Sequence, residues 1–438
     1  MNLNNKIVIA ALAVSAFTVE TSALQPKQYP DTVMIPERAL IFSGSPEHSG
    51  PLMAVLYDTS DLHFSDPSAP RFLFLDRKGK VAFGIGGYIK GTMQYDFAGS
   101  IDDGASFVTR DIPVPSDPSQ RSQFYGNANH STIFMQLVGR SSRFGFYQMY
   151  IQTNFTGDGP KGYGLKLKQA YLKLGYVTAG LTNSTFVDGA AGTPTIDDQG
   201  PAGETGSKNI LVRYAPRFSN HFMGAIGIEV PDASYTITAP ADGNATVKKI
   251  NQRVPDIPIY VQYEWGGGAS HIRLSGLFRD LSYRDLITGR NRFKAGWAVQ
   301  LSGKANFADR LTLFYQGAYG QGYGQYVNDL QDGGFDLVEA STPGRMRAPR
   351  TANFEIGARY NFRPDFFVSA SYSQARLFGV SELGPDTYRY GQYLSVTGFY
   401  DIIPDLRVGL EYLHGSRNDC DGRHGSANRL IGMLQYSF

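Results

Sequence analysis

The sequence has a single cysteine, Cys420, in 438 residues, which excludes a disulfide framework, a thiolate zinc site and a cysteine-held cluster. Neither sign of charge dominates. With 41 Lys and Arg against 39 Asp and Glu, the formal net charge of +2 gives no reason to expect a nucleic-acid surface. After the N-terminus there is no run of about 18 apolar residues, so no helix of this chain is expected to span a membrane. The glycines at 84, 86 and 87 and at 320, 322 and 324 do not complete G-x-G-x-x-G ahead of a helix, and G-x-S-x-G is missing. Nucleotide-binding and hydrolase chemistry therefore lack their motifs. His414, Asp419, Cys420, Asp421 and His424 crowd one stretch, the sole hint of a metal site. No metal, cofactor or catalytic residue is expected.

What is present is a load of 50 Gly, 27 Tyr and 28 Phe with only 18% charged residues, and this points to β-structure. Residues 1–23 read as a secretory signal peptide. Lys6 precedes the apolar run IVIAALAVSAF at 7–17, and small residues follow at 14–16 and 21–23. The run is shorter than the roughly 20 residues of a transmembrane helix. Either group of small residues suits cleavage, and the second would start the mature chain at Leu24. Residues 24–77 carry Pro26, Pro30, Pro36, Pro46, Pro51, Pro67 and Pro70 and read as an extended periplasmic segment or a partial plug.

From residue 78 to 438 the pattern changes. In VAFGIGGYIKGTMQYDF at 81–97, one face holds Val81, Phe83, Ile85, Ile89, Met93, Tyr95 and Phe97, and the other holds Lys90, Thr92, Gln94 and Asp96 among small residues. Period two over this length means a long strand with one apolar and one polar face. A soluble sandwich would bury the apolar faces in a core, and an outer-membrane barrel would turn them to lipid. Three observations favour the barrel. Comparable segments recur to give roughly 16 strands, an even number as single-chain bacterial barrels require. Short connections (141–144, 266–269, 306–309) interleave with long ones (98–130, 183–208, 231–256, 322–350), the rhythm of periplasmic turns and extracellular loops. The last segment, NRLIGMLQYSF, ends the chain mid-strand on Phe438, resembling the C-terminal signal read by the barrel-assembly machinery of outer membranes. The expected fold is all-β: a transmembrane antiparallel up-and-down barrel of about 16 strands in the bacterial outer membrane, with lipids around it.

Such a barrel encloses a water-filled channel. Taking the face opposite the apolar one as inward places Lys90, Arg140, Arg213, Arg273, Arg279, Lys304, Arg359, Arg407 and Arg429 inside, against Asp96, Glu229, Glu264, Glu355 and Glu411. Bases outnumber acids, and a lumen positive on balance favours small anions. The alternative is that Arg and Glu pair off across neighbouring strands, as with Glu355 and Arg359, giving a rigid wall with no selectivity. Phase is ambiguous at 165–175, where Lys166 and Lys168 oppose Leu167 but Tyr171 and Leu174 suggest a bulge.

The segments LKQAYLKLGYVTAGLTNSTFVD (167–188), PTIDDQGP (194–201) and LEYLHGSRNDCDGRHGSANRLIGMLQYSF (410–438) together resemble the DcaP-like family of trimeric outer-membrane porins. The resemblance implies a homotrimer passing small hydrophilic solutes, with a preference for anions such as dicarboxylates. In porins the loop after the fifth strand folds inward and narrows the pore. Here that loop carries Asp188, Asp197, Asp198 and Glu204, which would face the basic wall. Some family members have a helical coiled-coil N-terminus, but residues 24–77 are Pro-rich and lack heptads. The function expected is passive diffusion without turnover. The alternative is a structural or adhesive barrel whose lumen is closed by residues 24–77.

Overall fold

The computed structural model describes residues 40–43, 50–58, 62–67, 69–76, 78–99, 101, 106–159, 162–237, 245–308 and 310–438. The signal-peptide reading of 1–23 lies outside the described residues. Sixteen antiparallel strands close on themselves. They are β1 (Val81–Ala98), β2 in two pieces (Gln123–Asn127 and Thr132–Ser141), β3 (Gly145–Asn154), β4 (Lys166–Leu174), β5 (Val177–Asn183), β6 (Lys208–Tyr214), β7 (Phe222–Glu229) and β8 in two pieces (Val247–Lys249 and Ile257–Trp265). The ring continues with β9 (Ser270–Asp285), β10 (Arg290–Phe307), β11 (Leu311–Gln321), β12 (Arg350–Arg363), β13 (Phe366–Phe378), β14 (Tyr388–Ile403), β15 (Leu406–Asp419) and β16 (His424–Ser437). Each strand pairs with its neighbour in sequence, and β16 returns to β1 through Arg429↔Asp96 and Gln435↔Lys90. Phe438 ends the seam, its N–H donating to the Gly87 carbonyl and its carbonyl accepting from the Gly87 N–H at 2.9 and 2.8 Å.

Adjacent residues show why the alternation folds this way. Ile89 is 62% exposed and its neighbour Lys90 5%. The apolar phase of every long strand repeats this, from Ile272, Leu274 and Phe278 on β9 to Val396 on β14 and Leu434 on β16. A band of exposed aliphatic and aromatic side chains this continuous has no place in water and suits hydrocarbon, where each large side chain gains about 1.5–3 kcal/mol by leaving water. The backbone ladder closes on itself from β16 back to β1, leaving the ring without an open edge, as a bilayer demands.

The tight connections lie at the end where β1 begins, including 142–144, 175–176, 364–365 and 404–405. At 175–176, Gly175 takes φ 57°, a left-handed conformation that its missing Cβ allows at no steric cost. Two connections at the opposite end are also short, 286–289 and 420–423. β9 and β10 run on to Asp285 and from Arg290, further than the apolar-out pattern suggests. The reason is that Leu281 and Tyr283 face inward yet are buried, packed with Val247 of β8 and with Ala233, Leu337 and Met346 of the loops that fold over them. An inward apolar pair breaks the alternation that marks a lipid-facing strand.

Within 24–77, the described part is not simply extended. Gly50–Leu56 is a helix, with Pro51 in its first turn where the absent N–H is not needed. Phe72–Leu75 is a strand that pairs with β1 at Phe72↔Ile85 and Leu75↔Ala82, on the edge of β1 that β16 leaves free below Phe438. Residues 40–43 pair parallel to it. Leu52, Met53, Val55 and Leu56 of the helix and Leu73 and Leu75 of the strand pack on Ala82 of β1 and Val138 of β2, on the inner wall.

Candidate functional site in the barrel lumen

The loop after β5, residues 184–207, turns into the barrel and is tied strand by strand across it. Asp188 Oδ2 lies 2.8 Å from His271 Nε2 and accepts from Ser302 Oγ at 2.7 Å, on β9 and β10. The Thr193 amide donates to Glu355 Oε1 of β12 at 3.0 Å, and Ser369 Oγ of β13 to the Pro194 carbonyl at 2.6 Å. The amides of Ile196 and Asp197 both donate to Glu411 of β15, at 2.6 and 2.9 Å. On β1, Lys90 Nζ reaches the Ile196 carbonyl at 2.9 Å and Asp198 Oδ1 at 2.7 Å. The loop then returns past Ser373, Asn353 and Gln316 to β6.

Two features of the wall make room for it. A Cβ on Gly357 of β12 would stand 1.9 Å from Thr193 Oγ1, and one on Gly409 of β15 would stand 2.8 Å from Ile196 Cδ1. Inward glycines are thus the floor on which the loop lies. From the other side, loop 322–349 packs down, the Asn328 amide donating to the Glu204 carbonyl at 3.0 Å. Loop 99–122 joins it where Asp329 accepts from the Thr109 amide and hydroxyl at 2.6 and 2.7 Å.

The acids of the loop differ in their surroundings. Burial raises Asp188, but Arg273 and then His271 outweigh it and hold this carboxyl well below the usual carboxylate range. Burial likewise opposes ionisation of Asp198, and His130 and Lys90 overcome it, so it too is lowered. Asp197 goes the other way. Burial first, and then the Glu411 carboxylate, push it up to about 8.

The fourteen inward residues expected from phase fall into distinct environments. Arg429 holds Asp96 by two bonds of 2.6 and 3.0 Å. Arg279 lies 3.0 Å from both Asp256 and Asp336, and Arg407 2.6 Å from Asp401. Arg273 donates to Gln262 at 2.6 Å and to the Val187 carbonyl at 3.0 Å. Lys304 is on the inward phase of β10, half-buried. Of the acids, Glu229 takes the Thr185 amide and Asn209, and Glu264 takes Arg217 at 2.9 Å. Glu355 does not pair with Arg359. Its carboxylate serves Thr193 and Gln316, while Arg359 Nε donates to Asn361 at 3.0 Å. The supposed metal stretch is dispersed, since Arg417 holds Asp419, Arg423 holds Asp421, and His414 bonds Asn428.

One arc of the wall carries several bases outside any ion pair. Arg140 on β2, Lys166 and Lys168 on β4, and Lys208 and Arg213 on β6 have no ion pair among the described residues, and neither does Arg359 on β12. Lys166 pairs with buried Asn154, and the register slips at Gln152/Thr153, so Lys168 sits in a bulge. Its ammonium is within electrostatic reach of Lys208, Lys166, Asp198 and Asp66, which puts it on the lumen side. Lys166, Lys168 and Lys208 were not assigned from the sequence. The Lys-x-Lys spacing ahead of a phase change was their signal, and Lys208 fell at a loop boundary.

The comparisons with known proteins agree with this geometry. The family model of the porin subfamily matches residues 84–390. Among curated proteins, none matches. Among solved structures, the outer membrane channel DcaP of Acinetobacter baumannii is similar at TM-score 0.71 and 18% identity, over 82% of this chain and 98% of that one. The anion-selective porin from Comamonas acidovorans is similar at 0.52 and 10% identity, over 82% and 100%. A loop L8 deletion mutant of OmpT from Vibrio cholerae is similar at 0.51 and 11%, over 82% and 100%. The lumen is crossed by a tethered loop, and the chain belongs to the porin subfamily, a channel of the bacterial outer membrane.

Proposed function

We propose that this porin is a passive diffusion channel for small hydrophilic solutes with a weak preference for anions, small dicarboxylates among them. The observation that carries the reading is the arc of bases outside any ion pair at Arg140, Lys166, Lys168, Lys208 and Arg213. Elsewhere on the wall, Arg279, Arg407 and Arg429 are each matched by a carboxylate, so their fields largely cancel. In a narrow bore with low-dielectric walls, this less closely paired arc sets the sign of the potential a solute meets. The preference for dicarboxylates draws on the resemblance of residues 167–188 and 410–438 to DcaP-like porins, as does a homotrimeric assembly. The signal peptide 1–23 and delivery by the barrel-assembly machinery through Phe438 belong to the same reading.

Swelling of liposomes carrying the protein tests it. Small dicarboxylates should enter faster than neutral sugars of equal size. Equal rates would leave bore alone as the selecting property.

A further inference from the structure

We propose that residues 62–67 and 69–71 are a tethered plug that must leave the constriction for solute to pass. Three observations lead there. The segment is anchored on both sides, by the buried helix Gly50–Leu56 before it and by the strand Phe72–Leu75, hydrogen-bonded to β1, after it. Between these anchors it is held through side chains, and near its C-terminal end Arg71 pairs with Asp405 at 2.9 Å. His63 Nε2 lies 3.5 Å from Glu204 of the constriction loop, and the Tyr88 hydroxyl donates to the Ser65 carbonyl at 3.1 Å.

The tip also reaches opposite walls. Phe64 packs against Phe367 of β13 and Phe399 of β14, with ring centroids at 5.9 and 5.1 Å, and Arg407 lies over its ring at 5.5 Å. Asp66 is within electrostatic reach of Lys168 on β4, on the far side of the ring from β13. A segment that spans these walls and touches the constriction loop from the periplasmic end stands in the path of a solute.

Beside it is room to move. A cavity of about 350 Å³ lies between the tip and the wall, lined on one side by Phe64, Ser65 and Asp66 and on the other by Tyr88, Lys90 and Gln435. Anchors on both sides, with a tip held between them by side-chain contacts beside a cavity, are the arrangement of a strap that can lift without unfolding its ends. This proposal rests on the chain being a channel but not on its ion preference.

A reversible lock tests it. A Cβ placed on Gly189 would lie 3.7 Å from His63 Cβ and meet nothing closer than 3.6 Å. That separation falls within the roughly 3.5–4.5 Å that a disulfide requires. The full-length chain carrying His63→Cys and Gly189→Cys, with Cys420→Ser, should cross-link under mild oxidant. In planar bilayers its conductance should rise about twofold or more when a reductant is added, since an unobstructed barrel of this size keeps an aqueous channel. The unaltered protein should not respond to reductant. Failure to cross-link in a barrel that still shows heat-modifiable gel migration would overturn the seating. A confirmed cross-link with equal conductance before and after reduction would overturn the gating. A second variant, Leu52→Asp with Met53→Asp, loosens the anchor and should raise conductance with no reductant present; unchanged conductance counts against the plug. The reversal potential read in the same recordings reports ion preference separately, so either reading can fail alone.

Discussion

Arg429 of β16 grips Asp96 of β1 across the seam that closes the barrel, through two bonds of 2.6 and 3.0 Å with both side chains buried. The pair joins the last strand to the first, and the Arg429 guanidinium also lies over Phe107 at 5.2 Å. Removing one partner leaves the other charged and buried, at a cost of about 3–5 kcal/mol. Asp96→Asn should therefore lower the midpoint of urea unfolding in lipid vesicles and abolish heat-resistant migration on gels at a lower temperature. A midpoint equal to that of the unaltered protein would mean the seam is held by its backbone ladder alone.

Asp197 gives the constriction a titration. With its carboxyl pushed up to about 8 by burial and by Glu411, it is protonated at neutral pH in the folded channel. An acid whose folded value is raised binds more protons folded than unfolded, so its contribution to stability declines as pH rises from the unfolded value through the folded one. Over the same upper range a negative charge enters the constriction. Anion preference should weaken between about pH 7 and pH 9, and Asp197→Asn should remove that dependence. A pH-independent preference in the unaltered channel would contradict the assignment.

Gly357 tests how the loop is seated. Gly357→Val places a methyl-bearing Cβ 1.9 Å from Thr193 Oγ1, so Thr193 must move and the bond from its amide to Glu355 must stretch or break. Overpacking of this kind costs about 1–3 kcal/mol. The loop should lift from the wall, changing single-channel conductance and adding current noise. Gly398→Ala has nothing near its Cβ and should leave both unchanged.

Much of the barrel was legible because lipid and water impose opposite demands on alternate residues, as in Ile89 and Lys90. The inward loop was legible only through family resemblance, since its ties to Glu355 and Glu411 join residues far apart in sequence. Three features were hidden for physical reasons. Leu281 and Tyr283 are apolar and inward because loops cover them, which alternation alone does not encode. Lys168 sits in a bulge, where period two slips by one residue. The partners of the inward arginines were invisible, and with them the difference between cancelled and uncancelled charge: Asp256 and Asp336 come to Arg279 from two separate loops.

That difference is the centre of the account, and the reversal potential across a salt gradient in a planar bilayer measures it most directly. The unaltered channel should give a potential of anion-preferring sign, and Lys166→Glu with Lys168→Glu and Lys208→Glu should carry it to the cation side. A cation-preferring potential in the unaltered protein, or no movement on reversing the three lysines, would contradict the claim that the β2–β6 arc sets selectivity.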